Sequence, residues 1–413
     1  MIGYVTMATL PTEQSTGPMS MRRIAYVLLL ATLLTIPLED VFQVPVIGTL
    51  ARVFGIAAFA VWGLSVFAAE GMRRPTYFHL FALGLVAWVG FSLLWSFDPN
   101  STLINIETFL QLFTLSLVVW DLCDSRRTLN AAIQALVVGM WLASASLFLN
   151  FARGIESHYG RFSASGADPN YMSVMLALGI PLAWYMVTNT RHRSLRFLNL
   201  LYIPAAVLAM GLTGSRGGFL AGFIAVVYLT IAAGRRRLGG LIVLLIAVAA
   251  TVLLVSVIVP DGAAERTVNL DDEDALNGRV GIWMDAWDAF VQYPVSGVGA
   301  GASRAVLPTG NVPHNVALTV ILELGIIGLA LAAGLVATAL RWSRFLTPWD
   351  RQMWWSVVGI WAVGSISLNL ETRKLTWVIF SLVLAATAVA RESLLATPDE
   401  GDSSPRRSLT PLR

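Results

Sequence analysis

Charge, cysteine and lysine are all scarce in this chain of 413 residues. Charged residues make up 13% of it, about half the share usual in a soluble domain, so lipid is the expected solvent for most of the surface. The single cysteine, Cys123, excludes an intramolecular disulfide and any cysteine-based metal site. Lys374 is the only lysine, so nearly every cation is an arginine. The net charge of +3 is small and the basic residues sit in short clusters, which excludes the broad basic face of a nucleic-acid-binding protein. Residues 1–22 carry no long apolar core, and no small-residue cleavage site follows the first apolar run. That run therefore reads as a retained span preceded by a short lead.

What is present is apolar: 56% of the residues are hydrophobic. Runs of roughly 20 residues, the length needed to cross a bilayer, recur near 23–43, 47–69, 76–97, 102–121, 129–152, 170–188, 197–213, 217–233, 238–259, 315–340, 351–370 and 374–391. The fold class expected is all-α: a polytopic membrane protein with about twelve transmembrane helices. Residues 23–259 hold the first nine spans and 315–391 the last three. Residues 260–314 form one large polar loop with short helices, and 392–413 form a disordered tail rich in proline and serine.

Arginine placement tests this count. Arg22 and Arg23 precede the first span; Arg73 and Arg74 follow the second, and Arg126 and Arg127 the fourth. Arg191, Arg193 and Arg196 follow the sixth, Arg235, Arg236 and Arg237 the eighth, and Arg341, Arg344 and Arg351 the tenth. With alternating spans every cluster falls on one side, the cytoplasmic side by the positive-inside rule, together with both termini. The opposite side carries isolated cations: Arg153, Arg161, Arg216, Arg266, Arg279, Arg304, Arg373 and Lys374.

Three of these isolated arginines lie in short motifs. Arg216 sits in Thr213-Gly214-Ser215-Arg216-Gly217-Gly218 with almost no loop around it. An arginine at membrane depth costs about 2.5–3.5 kcal/mol, so it needs either an anionic ligand beside the glycine-rich helix start or a route by which it snorkels to the headgroups. Arg161 precedes Asp168-Pro169-Asn170, where Asp168 reads as a helix cap and Arg161 either as a phosphate contact or as a loop arginine. Residues 277–293 read as an interfacial helix with Asn277 as its N-cap and Val280, Trp283, Trp287 and Phe290 or Val291 on one stripe. Arg279 at its start opposes the helix dipole unless an anion is present. His314 follows Pro313 at the start of a span; its ordinary pKa of about 6.5 suits a general base, and a capping histidine fits the position equally. The acidic run Asp271, Asp272, Glu273 and Asp274 lacks calcium-loop spacing and reads as solvated.

In order along the chain, Arg161 with Asp168-Pro169-Asn170, Thr213-Gly214-Ser215-Arg216-Gly217, Gly278-Arg279 with Trp283, Pro294-Val295-Ser296-Gly297-Val298-Gly299, and Pro313-His314-Asn315 resemble the superfamily of O-antigen ligases and O-antigen polymerases, bacterial membrane glycosyltransferases. The motifs cover the second half of the chain. The resemblance implies a metal-independent and cofactor-free enzyme of the bacterial inner membrane with its site facing the periplasm. It would move the glycan from undecaprenyl-pyrophosphate-linked O-antigen to a sugar hydroxyl of lipid A–core. His314 is implied as the base. Arg161, Arg216, Arg279, Asp168, Asn170, Ser215, Gly217 and Asn315 are implied as substrate-binding residues. A polymerase or a protein-directed transferase would use the same donor. A carrier of lipid-linked sugar is the reading from another class, but no paired inverted repeat of broken helices is evident.

Overall fold

The computed structural model describes residues 20–44, 48–157, 160–234 and 273–396. The fold is all-α and polytopic. Helices α1 (Met21–Thr35), α2 (Leu50–Ser65), α3 (Tyr77–Ser92), α4 (Pro99–Leu122), α5 (Arg126–Ala152), α6 (Pro169–Asn189), α7 (Arg193–Thr213) and α8 (Arg216–Gly234) form the first group. Then come α9 (Glu273–Gln292), the single turn α10 (Ser303–Val306), α11 (Val316–Trp342), α12 (Pro348–Ser365) and α13 (Lys374–Ala396). Among the described residues, nine helices are long and apolar enough to cross a membrane. Helix α3 is apolar but shorter, and α12 opens on the polar Asp350, Arg351 and Gln352. The strand pair Gln43–Val44 and Gly48–Thr49 is antiparallel. The expected span at 238–259, the carboxylates Asp271 and Asp272, His158, and the two terminal segments lie outside the described residues.

Helix starts follow side-chain chemistry. Asp98 accepts the Ser101 amide at 3.1 Å with Pro99 opening α4, and Ser125 accepts the Thr128 amide at 3.2 Å at the start of α5. Such caps satisfy amides that the first turn leaves without partners. Helices α6 and α13 are the most enclosed spans; Met172, Leu176, Ile180, Val378 and Leu382 are fully buried. On the outer helices, Leu64, Phe67, Leu80 and Leu94 are exposed, as an apolar solvent permits.

Arginines and carboxylates sort the bundle into two ends. At one end the buried Asp121 carboxylate accepts from Arg22 Nη1 at 2.8 Å, from the Trp62 indole at 2.7 Å and from the Arg73 amide at 2.6 Å. Arg126 pairs with Asp350 at 2.7 Å, and Arg73 pairs with Glu392. This joins the starts of α1, α5 and α12 to the ends of α2, α4 and α13. At the other end Lys374 meets Glu39 at 3.1 Å, Arg373 meets Asp40 at 3.9 Å, and Arg52 meets Glu107. Arg22, Arg73 and Arg126, drawn from three of the sequence clusters, thus share one end, opposite Arg373 and Lys374.

Helix α11 is broken at Gly325 (φ 64°, ψ −166°). The break frees backbone groups that lipid could not satisfy, and the segment 294–301 together with Trp88 on α3 supplies partners for them. Val298 N–H donates to Leu322 O at 3.0 Å, Gly299 N–H donates to Glu323 O at 2.9 Å, and Ile326 N–H donates to Pro294 O at 2.9 Å. The Trp88 indole donates to Leu324 O at 2.8 Å. Gly297 and Gly299 both have positive φ, and a Cβ on them would come within 2.4 Å of Glu323 and 2.5 Å of Ser96. Only glycine permits this approach.

One expectation needs correction. Helix α9 begins at Glu273, so Asn277 is interior and not its N-cap; acidic residues in a first turn suit the helix dipole, and Ala275 and Leu276 propagate it. Its packing face is Ile282, Ala286 and Ala289, set against Val298, Ala302, Leu307 and Leu322. Val280, Trp287 and Val291, on the stripe expected to meet the membrane interface, are exposed together with Met284.

Candidate active site

A polar cavity of about 570 Å³ opens at the end of the bundle opposite the Asp121 cluster. The first turns of α4, α6 and α11 reach it through Ser101, Asn170 and Thr319. Helix N-termini carry a partial positive charge, and three guanidinium groups, Arg279, Arg304 and Arg373, line the same cavity. These groups can receive an anion. The acidic side chains Asp168, Glu323 and Glu371 line it as well, so the lining carries groups of both signs.

His314 lines this cavity with part of its side chain open and part enclosed. Its φ of 50° is the only positive value at a non-glycine position among the described residues, a conformation that costs free energy and is over-represented at functional sites. Two contacts hold it there. The Trp283 indole donates to Pro313 O at 2.8 Å, and Asn315 caps α11 by accepting the Leu318 amide at 3.1 Å. Partial burial, then the positive charges of Arg279 and Arg304, hold the imidazole below the ordinary histidine range, against the opposing pull of Asp168. A neutral imidazole at neutral pH is what a base needs.

The remaining sequence-derived residues separate into two sets. Asp168 and Asn170 line the cavity with His314 and Arg279. Asp168 also caps α6, accepting the amides of Asn170 and Tyr171 at 2.9 Å. Arg161, Arg216, Ser215, Gly217 and Asn315 do not line it. Arg161 lies one layer behind, donating from Nη2 to Asn170 Oδ1 at 2.8 Å and from Nε to Thr213 O at 2.7 Å. Ser215 is buried and accepts the Gly218 amide at 3.1 Å. A Cβ on Gly217 would meet Ser367 Oγ at 2.9 Å and one on Gly218 would meet Ser173 Oγ at 1.8 Å, so close packing accounts for both glycines. Asn315 also donates to Ile366 O at 3.3 Å.

Sequence reasoning placed Arg304 and Arg373 on the correct end without assigning them to a site, and missed Glu323 and Glu371. Arg373 stacks on Tyr171 at 4.4 Å. Glu323 accepts from Gly301 N–H at 2.7 Å and from the Ser303 hydroxyl at 2.5 Å, fixing α10 and with it Arg304. Glu371 Oε2, Asn369 Oδ1 and Thr319 Oγ1 are buried without hydrogen-bond partners, and burial pushes the Glu371 carboxyl up to about 8. An acid alone in an apolar span was a signal available for Glu323; Glu371 had none. No group of three His, Cys, Asp or Glu residues is arranged to hold a metal ion among the described residues.

Fold and cavity together define a polytopic all-α membrane protein with a polar site at one end of its bundle, lined by His314, three arginines and three carboxyl groups. Residues 200–333 match the family model described as O-Antigen ligase. The matched segment runs from α7 into α11 and contains Arg216, Arg279, Arg304, His314 and Glu323. The match supports the O-antigen ligase superfamily and a function of the O-antigen ligase or polymerase type. No curated protein matches the chain.

Proposed function

We propose that the protein is an O-antigen ligase that transfers the glycan of undecaprenyl-pyrophosphate-linked O-antigen to a sugar hydroxyl of lipid A–core, at the periplasmic face of the inner membrane. The observation that carries this reading is that His314 lines one cavity together with Arg279, Arg304 and Arg373. The arginine-paired Asp121 end would then be cytoplasmic by the positive-inside rule.

The acceptor hydroxyl gives its proton to His314 as its oxygen attacks the anomeric carbon of the donor. The bond from that carbon to the pyrophosphate oxygen breaks, and the electron pair leaves with undecaprenyl pyrophosphate. Arg279, Arg304 and Arg373 stabilise the charge on the leaving group. Asp168 stabilises the imidazolium that forms. Attack opposite the leaving group inverts the anomeric carbon. Arg161 acts through Asn170, which it orients.

The test is purified protein with lipid-linked donor and a core acceptor. The proposal expects glycosylated lipid A–core and free undecaprenyl pyrophosphate, with product also formed in excess EDTA. Translocation without product would point to a carrier, and growth of the donor glycan without core modification would point to a polymerase.

A further inference from the structure

A second cavity, of about 820 Å³, lies at the opposite end of the bundle from His314. It is formed by the segment after α2, the first turns of α3, the last turns of α4 and the last turns of α13. Its chemistry is graded along the bundle axis. At the mouth stand Arg73, Arg74, Arg391 and Glu392, three guanidinium groups against one carboxylate. Deeper, Leu80 and Leu83 on α3 face Phe113 and Leu117 on α4, one to two turns further into the apolar layer.

Two donors at the polar level are left over. Arg73 spends Nη2 on Glu392 and lies over the Trp120 ring at 4.6 Å, while its buried Nη1 has no hydrogen-bond partner. His79 is 2% exposed. Its Nδ1 accepts the Thr76 amide at 3.1 Å, which places the ring proton on Nε2 in the neutral form. That Nε2 is buried without a partner, and the nearby Ser116 carbonyl does not meet hydrogen-bond geometry. Buried donors without acceptors are costly. An arginine fixed on an aromatic ring with one free edge is preorganised for an oxyanion.

We propose that this cavity binds an anionic phospholipid, with its phosphate held by Arg73 Nη1 and His79 Nε2 and its acyl chains along Leu80, Leu83, Phe113 and Leu117. The excess of guanidinium over carboxylate at the mouth selects a headgroup of net negative charge over a zwitterionic one. The apolar depth selects a lipid over free phosphate. The site is separate from the His314 cavity, and its occupancy does not depend on which glycan the enzyme handles.

The test uses the full-length protein in detergent. Thermal stabilisation and native mass spectrometry are followed on adding phosphatidylglycerol, phosphatidylcholine or inorganic phosphate. Phosphatidylglycerol is expected to bind at least about tenfold more tightly than phosphatidylcholine, equivalent to about 1.4 kcal/mol, and phosphate alone is expected not to stabilise. Leu83→Trp fills the apolar depth from a half-exposed position and leaves every polar contact in place; it is expected to lower phosphatidylglycerol affinity about tenfold or more. Arg73→Gln is expected to abolish the preference between the two lipids. Equal binding of both lipids by the wild type, equal stabilisation by phosphate, or wild-type phosphatidylglycerol affinity in Leu83→Trp would each overturn the proposal.

Discussion

Replacing Gly325 by alanine tests whether the broken helix and the glycine segment form one mechanical unit. The backbone at Gly325 (φ 64°, ψ −166°) lies in a region open essentially to glycine alone, costing other residues of order 1–3 kcal/mol. A Cβ there would fall 2.1 Å from the Val295 carbonyl oxygen, so the segment must withdraw. Three backbone hydrogen bonds cross that contact, from Val298, Gly299 and Ile326, and each buried group left unpaired costs about 1–3 kcal/mol. Strain plus the loss of a single bond gives about 2–6 kcal/mol, a large part of a typical stability of about 5–15 kcal/mol. Reversible unfolding in mixed micelles, followed by tryptophan fluorescence, measures the change. Gly281→Ala is the control: nothing lies within 4 Å of its built Cβ, and in a helix the change is expected to be neutral or to stabilise by about 0.4–1 kcal/mol. If Gly325→Ala unfolds within about 0.5 kcal/mol of wild type, the spread of ordinary surface changes, the account of the break is wrong.

Three further outcomes follow from named contacts. Asp121→Ala removes the acceptor shared by the Arg22 guanidinium, the Trp62 indole and the Arg73 amide and should destabilise by about 3–5 kcal/mol in the same unfolding assay. Burial raises the Glu371 carboxyl from its ordinary value to about 8; a folded-state pKa above the unfolded one means stability is fully present below about pH 4.5 and is lost as pH rises through 8. Glu371→Gln should flatten the dependence of melting temperature on pH in that window, and an unchanged slope would contradict the assignment. Arg279 helps to hold the His314 pKa down, so Arg279→Gln should move the acid limb of the pH–rate profile to higher pH, whereas Asp168→Asn should move it lower. A limb that stays put in both variants would separate His314 from the measured ionisation.

The parts of the fold legible in the sequence are those that lipid enforces. A backbone in hydrocarbon must satisfy itself within each segment, so spans announce themselves as long apolar runs. The arginine clusters then fix their alternation, and Arg22, Arg73 and Arg126 do gather at one end. The break in α11 was not legible, because Gly325 sits in an apolar run that hydropathy reads as continuous. The start of α9 was misplaced because Glu273 and Asp274 serve equally well as loop acids or as first-turn residues. At the site, His314, Arg279, Asp168 and Asn170 were legible as motif residues. The convergence of Arg304 and Arg373 on them depends on Glu323 holding α10 and on Tyr171 beneath Arg373, contacts between segments that no local pattern records.

The most direct test of the central claim is glycan transfer by His314→Ala, measured with purified protein at saturating donor alongside binding of the lipid-linked donor. The account predicts that donor binding persists, since the arginines remain, while transfer to lipid A–core falls to background across the pH range. Wild-type transfer by His314→Ala would contradict it.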